Sequence, residues 1–147
     1  MLMQRPSTLL PAVLLALPLL ASLAPARPTP ATPDEALEQA MGQMSASLKT
    51  LEKGIEAGTA AAALEELARF EQAVIAAKAQ VPPSAAGVDE KKRPEYVAEF
   101  RASLCEALKL ACDAEIAVTR GKYKDAEKLV GKLDAAKSTG HGKFKKD

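Results

Sequence analysis

The sequence predicts an all-α protein, an up-down-up-down antiparallel four-helix bundle. Alanine and leucine dominate an apolar fraction of 48%, aromatic residues make up only 3%, and tryptophan is missing, so helix formers outnumber sheet formers. Apolar residues also recur at alternating spacings of three and four along four segments, as on one face of a helix. Two of the three breaks between these segments are short, which favours antiparallel neighbours in a single domain.

Residues 1–26 are predicted to be a signal peptide that is removed from the mature protein. Arg5 gives a short positive region, an apolar stretch covers residues 9–23, and residues 24–26 read Ala-Pro-Ala, a small-x-small cleavage site. An uncleaved membrane anchor is the alternative, but the apolar run is short and contains two prolines. We therefore expect an exported protein with no membrane association after cleavage.

Residues 27–33 contain three prolines and are predicted to be an extended tether. The bundle follows over residues 34–147. Its first helix is predicted over 34–57, with Thr32 as N-cap, Pro33 at the first helical position, and Gly58 ending it. The inward stripe of this helix has regular spacing: Leu37, Met41, Met44, Leu48, Leu51 and Ile55.

The second helix is predicted over residues 60–81. Thr59 can cap its start, and Pro82-Pro83 stops it because the residue before a proline avoids helical geometry. The same spacing of apolar residues continues here: Ala63, Leu67, Phe70, Val74, Ala77 and Val81.

Residues 84–93 form the longest predicted break in the bundle and are mostly polar or charged. The third helix is predicted over 94–120, with Pro94 at its first position and Gly121 closing it. Its inward stripe is expected to be Val97, Phe100, Leu104, Leu108, Ala111, Glu115 and Val118. Glu115 should lie at the edge or the end of the core.

The fourth helix is predicted over residues 122–144 and carries His141, the only histidine. His141 falls on the inward stripe: Ala126, Val130, Leu133, the Lys137 stem, His141 and Phe144. A lone histidine on an apolar face is most often a hydrogen-bonded core residue, and a metal or cofactor ligand is the alternative. In this topology the start of helix 1 and the end of helix 4 meet, so Met41 and His141 should face each other across the core.

Met41 and Met44 have two interpretations. Methionine at such positions is usually a core residue that fills irregular gaps. The alternative pairs one of them with His141 as the two axial ligands of a haem. Such ligation suits electron transfer because a six-coordinate iron has no open site for substrate. Met41 lies nearer the end that His141 reaches and is the better candidate.

Several other chemistries have no support in the sequence. Cys105 and Cys112 lie two helical turns apart, about 10 Å, too far for a disulfide within one helix. We expect two small, partly buried residues, and the alternative is an exposed thiol that cross-links two molecules in an oxidising compartment. There is no Cys-x-x-Cys-His for covalent haem attachment and no Glu-x-x-His for a di-iron site. A single histidine near the terminus supports no hydrolytic triad, so an enzyme is not predicted.

The charge pattern also limits the possible partners. The formal net charge of +1 gives no reason to expect nucleic-acid binding. Residues 120–147 hold nine basic and four acidic residues. We interpret this excess as a solvated helix face with a favourable basic C-terminus. A docking patch for an acidic partner is the alternative.

Segments from all four helices agree in order and spacing with one family. The matching segments are Leu37-Glu38-x-x-Met41, Leu48-Lys49-x-Leu51-Glu52-Lys53, Ala63-Leu64, Ala76-x-Lys78-Ala79 before Pro82-Pro83, Pro94-Glu95, Phe100-Arg101, Gly121-Lys122-x-Lys124-Asp125-Ala126, and His141 eight residues beyond Leu133. Over essentially the whole mature chain, the sequence resembles the cytochrome b562 family, the soluble four-helix-bundle b-type cytochromes of the bacterial periplasm.

This resemblance implies a periplasmic electron carrier that binds one haem b non-covalently, with Met41 and His141 as axial ligands. We expect an apolar wall around the haem from Met44, Phe100, Leu104 and Phe144. The carrier is expected to be a monomer that exchanges electrons with a redox partner protein that the sequence does not identify. The chain departs from the family in three respects: Gly140 and Gly142 flank His141, Leu104 stands where an aromatic ring is frequent, and Lys137 stands where arginine is common.

A second hypothesis of a different class remains open at this point. The chain could be a haem-free periplasmic four-helix bundle that binds a partner protein or a loosely held metal through its basic C-terminal helix. The absorption spectrum of the isolated protein distinguishes the two hypotheses, since only the haem protein is coloured.

Overall fold

The computed structural model describes residues 32–145. The predicted signal peptide at 1–26 and residues 27–31 of the predicted tether at 27–33 lie outside these residues. Within them the chain forms four α-helices and one short 3₁₀ helix. In chain order these are α1 (Pro33–Glu56), α2 (Ala60–Lys78), the 3₁₀ helix (Pro83–Gly87), α3 (Arg93–Thr119) and α4 (Tyr123–Phe144).

The four helices pack as antiparallel neighbours around one apolar core, which confirms the predicted all-α four-helix bundle. Each helix contacts the next one along the chain, and α1 also contacts α4, so the ring of helices is closed. In the described part of the chain, none of the helices combines the length and the apolar character that crossing a membrane requires.

Most helix ends follow the predicted signals, and the start and the end of α2 are the exceptions. Thr32 and Glu35 form a reciprocal capping box at the start of α1, and Gly58 and Gly121 have positive φ angles of 65° and 70° after α1 and α3. Thr59 precedes α2, but its side chain makes no capping hydrogen bond. Its ψ angle of 87° is far from the 158° of Thr32, so its backbone does not adopt the extended geometry of a typical N-cap.

The connection between α2 and α3 differs most from the sequence prediction. Helix α2 ends at Lys78, three residues before the predicted end at 81, and Val81 is 48% exposed instead of facing the core. The last turn tightens through hydrogen bonds from Ala79 and Gln80 to carbonyls three residues earlier, and the following prolines then favour extended backbone. The predicted break contains the 3₁₀ helix, whose Ala85 is 2% exposed.

Most residues of the predicted stripes lie in the core. Val97, Leu108 and Glu115 are only partly buried, which for Glu115 matches the expected edge position. Cys105 and Cys112 are both exposed free thiols, so the expectation that they are partly buried is wrong. They lie on the flank of the α3 stripe, each one residue beyond a core residue, Leu104 and Ala111.

Candidate cofactor site

A cavity of about 470 Å³ opens at the end of the bundle where α1 begins and α4 ends. Its wall comes from the first half of α1, the first half of α3 and the second half of α4, with Phe70 and Pro82-Pro83 closing the side toward α2. The lining includes the exposed residues Asp34, Glu38 and Lys145, so the cavity reaches the protein surface. Its volume falls in the range of about 300–1,000 Å³ that is usual for small-molecule and cofactor sites.

All six residues that the sequence singled out lie on the lining of this cavity: Met41, Met44, Phe100, Leu104, His141 and Phe144. Four of them are core residues with exposed fractions of 4–7%: Met44, Phe100, Leu104 and Phe144. Met41 and His141 are partly buried. The thioether of Met41 and the imidazole of His141 thus come from α1 and α4, two helices that contact each other.

The contribution of α2 and of the following loop was missed at the sequence level. Phe70 is 1% exposed and Pro82 is buried, and both line the cavity. Phe70 lies on the predicted inward stripe of α2, and this position could have indicated that its ring contributes to the cavity wall. Pro82 was interpreted only as a helix stop, because no helical or strand period marks a buried proline in a connection.

Three aromatic rings meet beside the cavity. The ring of Phe144 packs edge-to-face against both Tyr96 and Phe100, with centroid distances of 5.3 Å in each pair. This geometry is the favoured arrangement of aromatic pairs. Phe144 is three residues after His141, so the aromatic cluster fixes the turn of α4 that carries the imidazole against the start of α3.

Charged groups of both signs surround the mouth of the cavity. Asp34 and Glu38 stand on the α1 side, and Lys137 and Lys145 on the α4 side. The Lys137 ammonium lies 3.2 Å from Asp134. Surface ion pairs of this kind contribute less than about 1 kcal/mol, so the Lys137 ammonium is readily available to an anionic ligand group.

The side chains present fit a haem better than a bare metal ion. Thioether and imidazole are established axial ligands of haem iron, and the apolar wall suits a porphyrin. Within residues 32–145 no group of three or more His, Cys, Asp or Glu side chains could hold a metal ion by itself. Gly42 and Gly140 also line the cavity, and a Cβ added at either one would meet no atom within 4 Å, so open space lies beside both donors.

A second titratable cluster lies outside the cavity lining. Burial, followed by the charge of Glu115, raises the pKa of Glu71 on α2, while a hydrogen bond with Cys112 lowers it. The Oε1 atom of Glu71 is buried without a hydrogen-bond partner. Cys112 is exposed as a residue, but partial desolvation of its thiol raises the pKa of that thiol, and the carboxylates of Glu71, Glu115 and Asp113 add to this effect. The thiol is therefore protonated and weakly nucleophilic at neutral pH.

Comparison with known proteins agrees with this architecture. The family model for cytochrome b562 matches residues 36–145, which cover nearly all of the four helices and every residue of the cavity lining except Asp34. The chain belongs to the cytochrome b562 family. A search of curated proteins gave no match. The cytochrome b562 family consists of haem-binding electron carriers and not of enzymes, and it implies a b-type haem.

Proposed function

We propose that the protein is a periplasmic electron carrier that holds one b-type haem non-covalently in the cavity, with Met41 and His141 as axial ligands. The observation that supports this most is the shared lining. A thioether from α1 and an imidazole from α4 lie on one apolar cavity of about 470 Å³, and they are the neutral donor pair of electron-transfer haems.

Each part of the cavity has a task in this proposal. When bound, the haem iron supplies reversible transfer of one electron. Met41 and His141 would hold the iron, and with two such ligands it would have no open position for substrate. The wall formed by Met44, Phe100 and Phe144 excludes water, and a low dielectric around the iron tunes its potential.

Localisation and partners are part of the same proposal. The predicted signal peptide at 1–26 supports export to the periplasm, followed by function as a soluble monomer. The redox partner is a protein that approaches the open mouth of the cavity, where Asp34, Glu38 and Lys145 line the rim.

Hemin titration of the purified apoprotein tests the ligand assignment. We expect stoichiometric binding with a low-spin spectrum, which is lost in His141→Ala and becomes high-spin in Met41→Leu. Met44→Leu is the matched control, because it changes the same side chain three residues away and should keep the low-spin spectrum. Since Met41 and His141 are only partly buried, each of these variants should change apoprotein stability by no more than about 0.5–1 kcal/mol.

The titration also decides between the two classes of function. A wild-type apoprotein that binds no hemin in stoichiometric amount would overturn the proposal and favour the haem-free bundle. Loss of the low-spin spectrum in Met44→Leu, with Met41→Leu unaffected, would transfer the ligand role to Met44.

A further inference from the structure

The C-terminal end of α4 is capped by side chains from other parts of the chain. The last four carbonyls of an α-helix have no partner within the helix, and a glycine in left-handed conformation often satisfies them. Here α4 ends at Phe144, and the following residue, Lys145, has an extended backbone with a φ of −81° and a ψ of 133°. The usual glycine cap is therefore missing from the helix end that carries His141.

Two hydroxyl groups satisfy the last two of these carbonyls, whereas the carbonyl of His141 accepts from the backbone N–H of Lys145 at 3.1 Å. Ser84 Oγ donates to the carbonyl of Phe144 at 2.7 Å, and the Tyr96 hydroxyl donates to the carbonyl of Lys143 at 2.8 Å. The two hydroxyl oxygens lie 2.9 Å from each other. Because carbonyls only accept, both hydroxyl protons point to the helix end. We call Ser84 and Tyr96 the hydroxyl clasp.

The hydroxyl clasp is itself held in place. Ser84 lies in the 3₁₀ helix, whose carbonyl at Ala85 accepts a hydrogen bond of 3.0 Å from the Arg93 side chain at the start of α3. Tyr96 lies one turn into α3 and packs its ring against Phe144. The loop between α2 and α3 is therefore tied to α3, and both groups reach α4 from a fixed position.

The local sequence of α4 makes such support necessary. Gly140 and Gly142 flank His141, and each glycine inside a helix costs about 0.5–1 kcal/mol relative to alanine. A helix end with two glycines frays unless tertiary contacts hold it. The Lys143 ammonium lies 2.7 Å from Glu99 on α3, but this contact is exposed and contributes less than the buried ring contacts and the hydroxyl clasp.

We infer that the hydroxyl clasp is a positioning device for haem binding: Ser84 and Tyr96 keep the last turn of α4 helical, so that His141 stays on the cavity wall. This inference rests on the proposed function, since it assigns the clasp to the turn of the histidine ligand. Ser84 and Tyr96 do not contact the iron in this assignment, and they act only through His141.

Hydrogen exchange of the apoprotein and hemin binding test the inference together. In Tyr96→Phe, which keeps the ring, and in Ser84→Ala, amide exchange over residues 141–145 should become about five- to tenfold faster. Exchange in α1 and α2 should stay unchanged. The same variants should bind hemin several-fold more weakly, with a smaller low-spin fraction. Ser84→Thr keeps a hydroxyl and should restore both properties.

Tyr123→Phe is the matched control, because Tyr123 lies at the opposite end of α4 and its loss of a hydroxyl leaves the clasp intact. Unchanged exchange over residues 141–145, or an equal increase in all four helices, would overturn the inference. So would faster local exchange with wild-type hemin affinity and spectrum. If the wild-type protein binds no hemin, the proposed function fails, and exchange in the apoprotein still decides whether the clasp holds the turn.

Discussion

The two ends of the bundle are built from the same four helices but differ in what fills the space between them. At the closed end, which holds the α1–α2 and α3–α4 links, alanines are completely buried: Ala63, Ala111, Ala114 and Ala126 are each 0% exposed. At the cavity end, methionine, leucine and phenylalanine surround about 470 Å³ of open space. Small side chains let helices approach closely, whereas large ones can line a gap that they do not fill.

The difference separates stability from binding within one domain. The closed end has continuous packing, in which every removed methyl group loses contacts on all sides. Side chains at the cavity end already lack neighbours on one side. We therefore expect the closed end to supply most of the free energy of unfolding and the cavity end to supply the binding site.

The largest change in the free energy of unfolding is expected within a matched pair of leucine truncations. Leu67→Ala removes a side chain that is 0% exposed and lies outside the cavity lining, and it should lower the free energy of unfolding of the apoprotein by about 3–4 kcal/mol. Leu104→Ala removes a side chain on the cavity wall, and it should cost only about 2 kcal/mol because this side chain lacks packing neighbours on the cavity side. Urea denaturation measures both.

Equal costs for the two leucines would contradict the proposed difference between the ends. Hemin binding provides a second readout, in which the variant that costs less stability should have the larger effect. Leu104→Ala should weaken hemin binding, whereas Leu67→Ala should leave it near the wild-type value as long as the protein is folded.

A smaller effect is expected from the glycines of α4. A Cβ added at Gly131 or Gly142 would meet no atom within 4 Å. Gly131→Ala, in the middle of the helix, should stabilise the apoprotein by about 1 kcal/mol, and Gly142→Ala, in the last turn, by about 0.5 kcal/mol. Gly142→Ala should nevertheless improve hemin binding more than Gly131→Ala does, since it stiffens the turn of His141. If Gly131→Ala improved hemin binding more than Gly142→Ala, fraying of the last turn of α4 would not be what limits hemin affinity.

The smallest effect concerns the partly buried carboxylate of Glu71. Its pKa is raised in the fold, chiefly by burial, so between its ordinary and its raised value the folded state binds more protons than the unfolded state. The free energy of unfolding should therefore fall as pH rises through this window. Glu71→Gln should remove this fall and stabilise the protein at neutral pH by less than about 1 kcal/mol. Urea denaturation at several pH values measures this pH dependence, and Glu127→Gln, at an exposed position, is the control. If Glu71→Gln kept the pH profile of the wild-type protein, Glu71 would not be the group responsible.

Much of the fold and of the candidate site follows from periodicity. The three-and-four spacing gave the inward stripes of α1 and α4, and the short links gave antiparallel order, so Met41 and His141 were expected at the same end of the bundle. Both line one cavity with the four predicted wall residues. Their role as haem ligands stays a prediction, and so do export and the monomeric state.

The remaining differences arise where no period exists. Val81 was assigned to the core by extending a stripe past the point where α2 ends, and Thr59 was assigned a cap from residue type alone. Cys105 and Cys112 lie at the stripe margin, where spacing does not fix exposure. The hydroxyl clasp joins Ser84 and Tyr96 to carbonyls 60 and 47 residues away, and local sequence carries no trace of such pairs.

The sequence by itself determined the number, order and inward faces of the helices, because apolar spacing and helix-ending residues act within a few positions of the chain. It also determined which thioether and which imidazole share one end of the bundle. Only the tertiary structure decided the size of the cavity, the entry of Phe70 and Pro82 into its wall, and the capping of α4 by the hydroxyl clasp. These depend on how closely helices distant in sequence approach one another, and that distance is set by packing of the whole core.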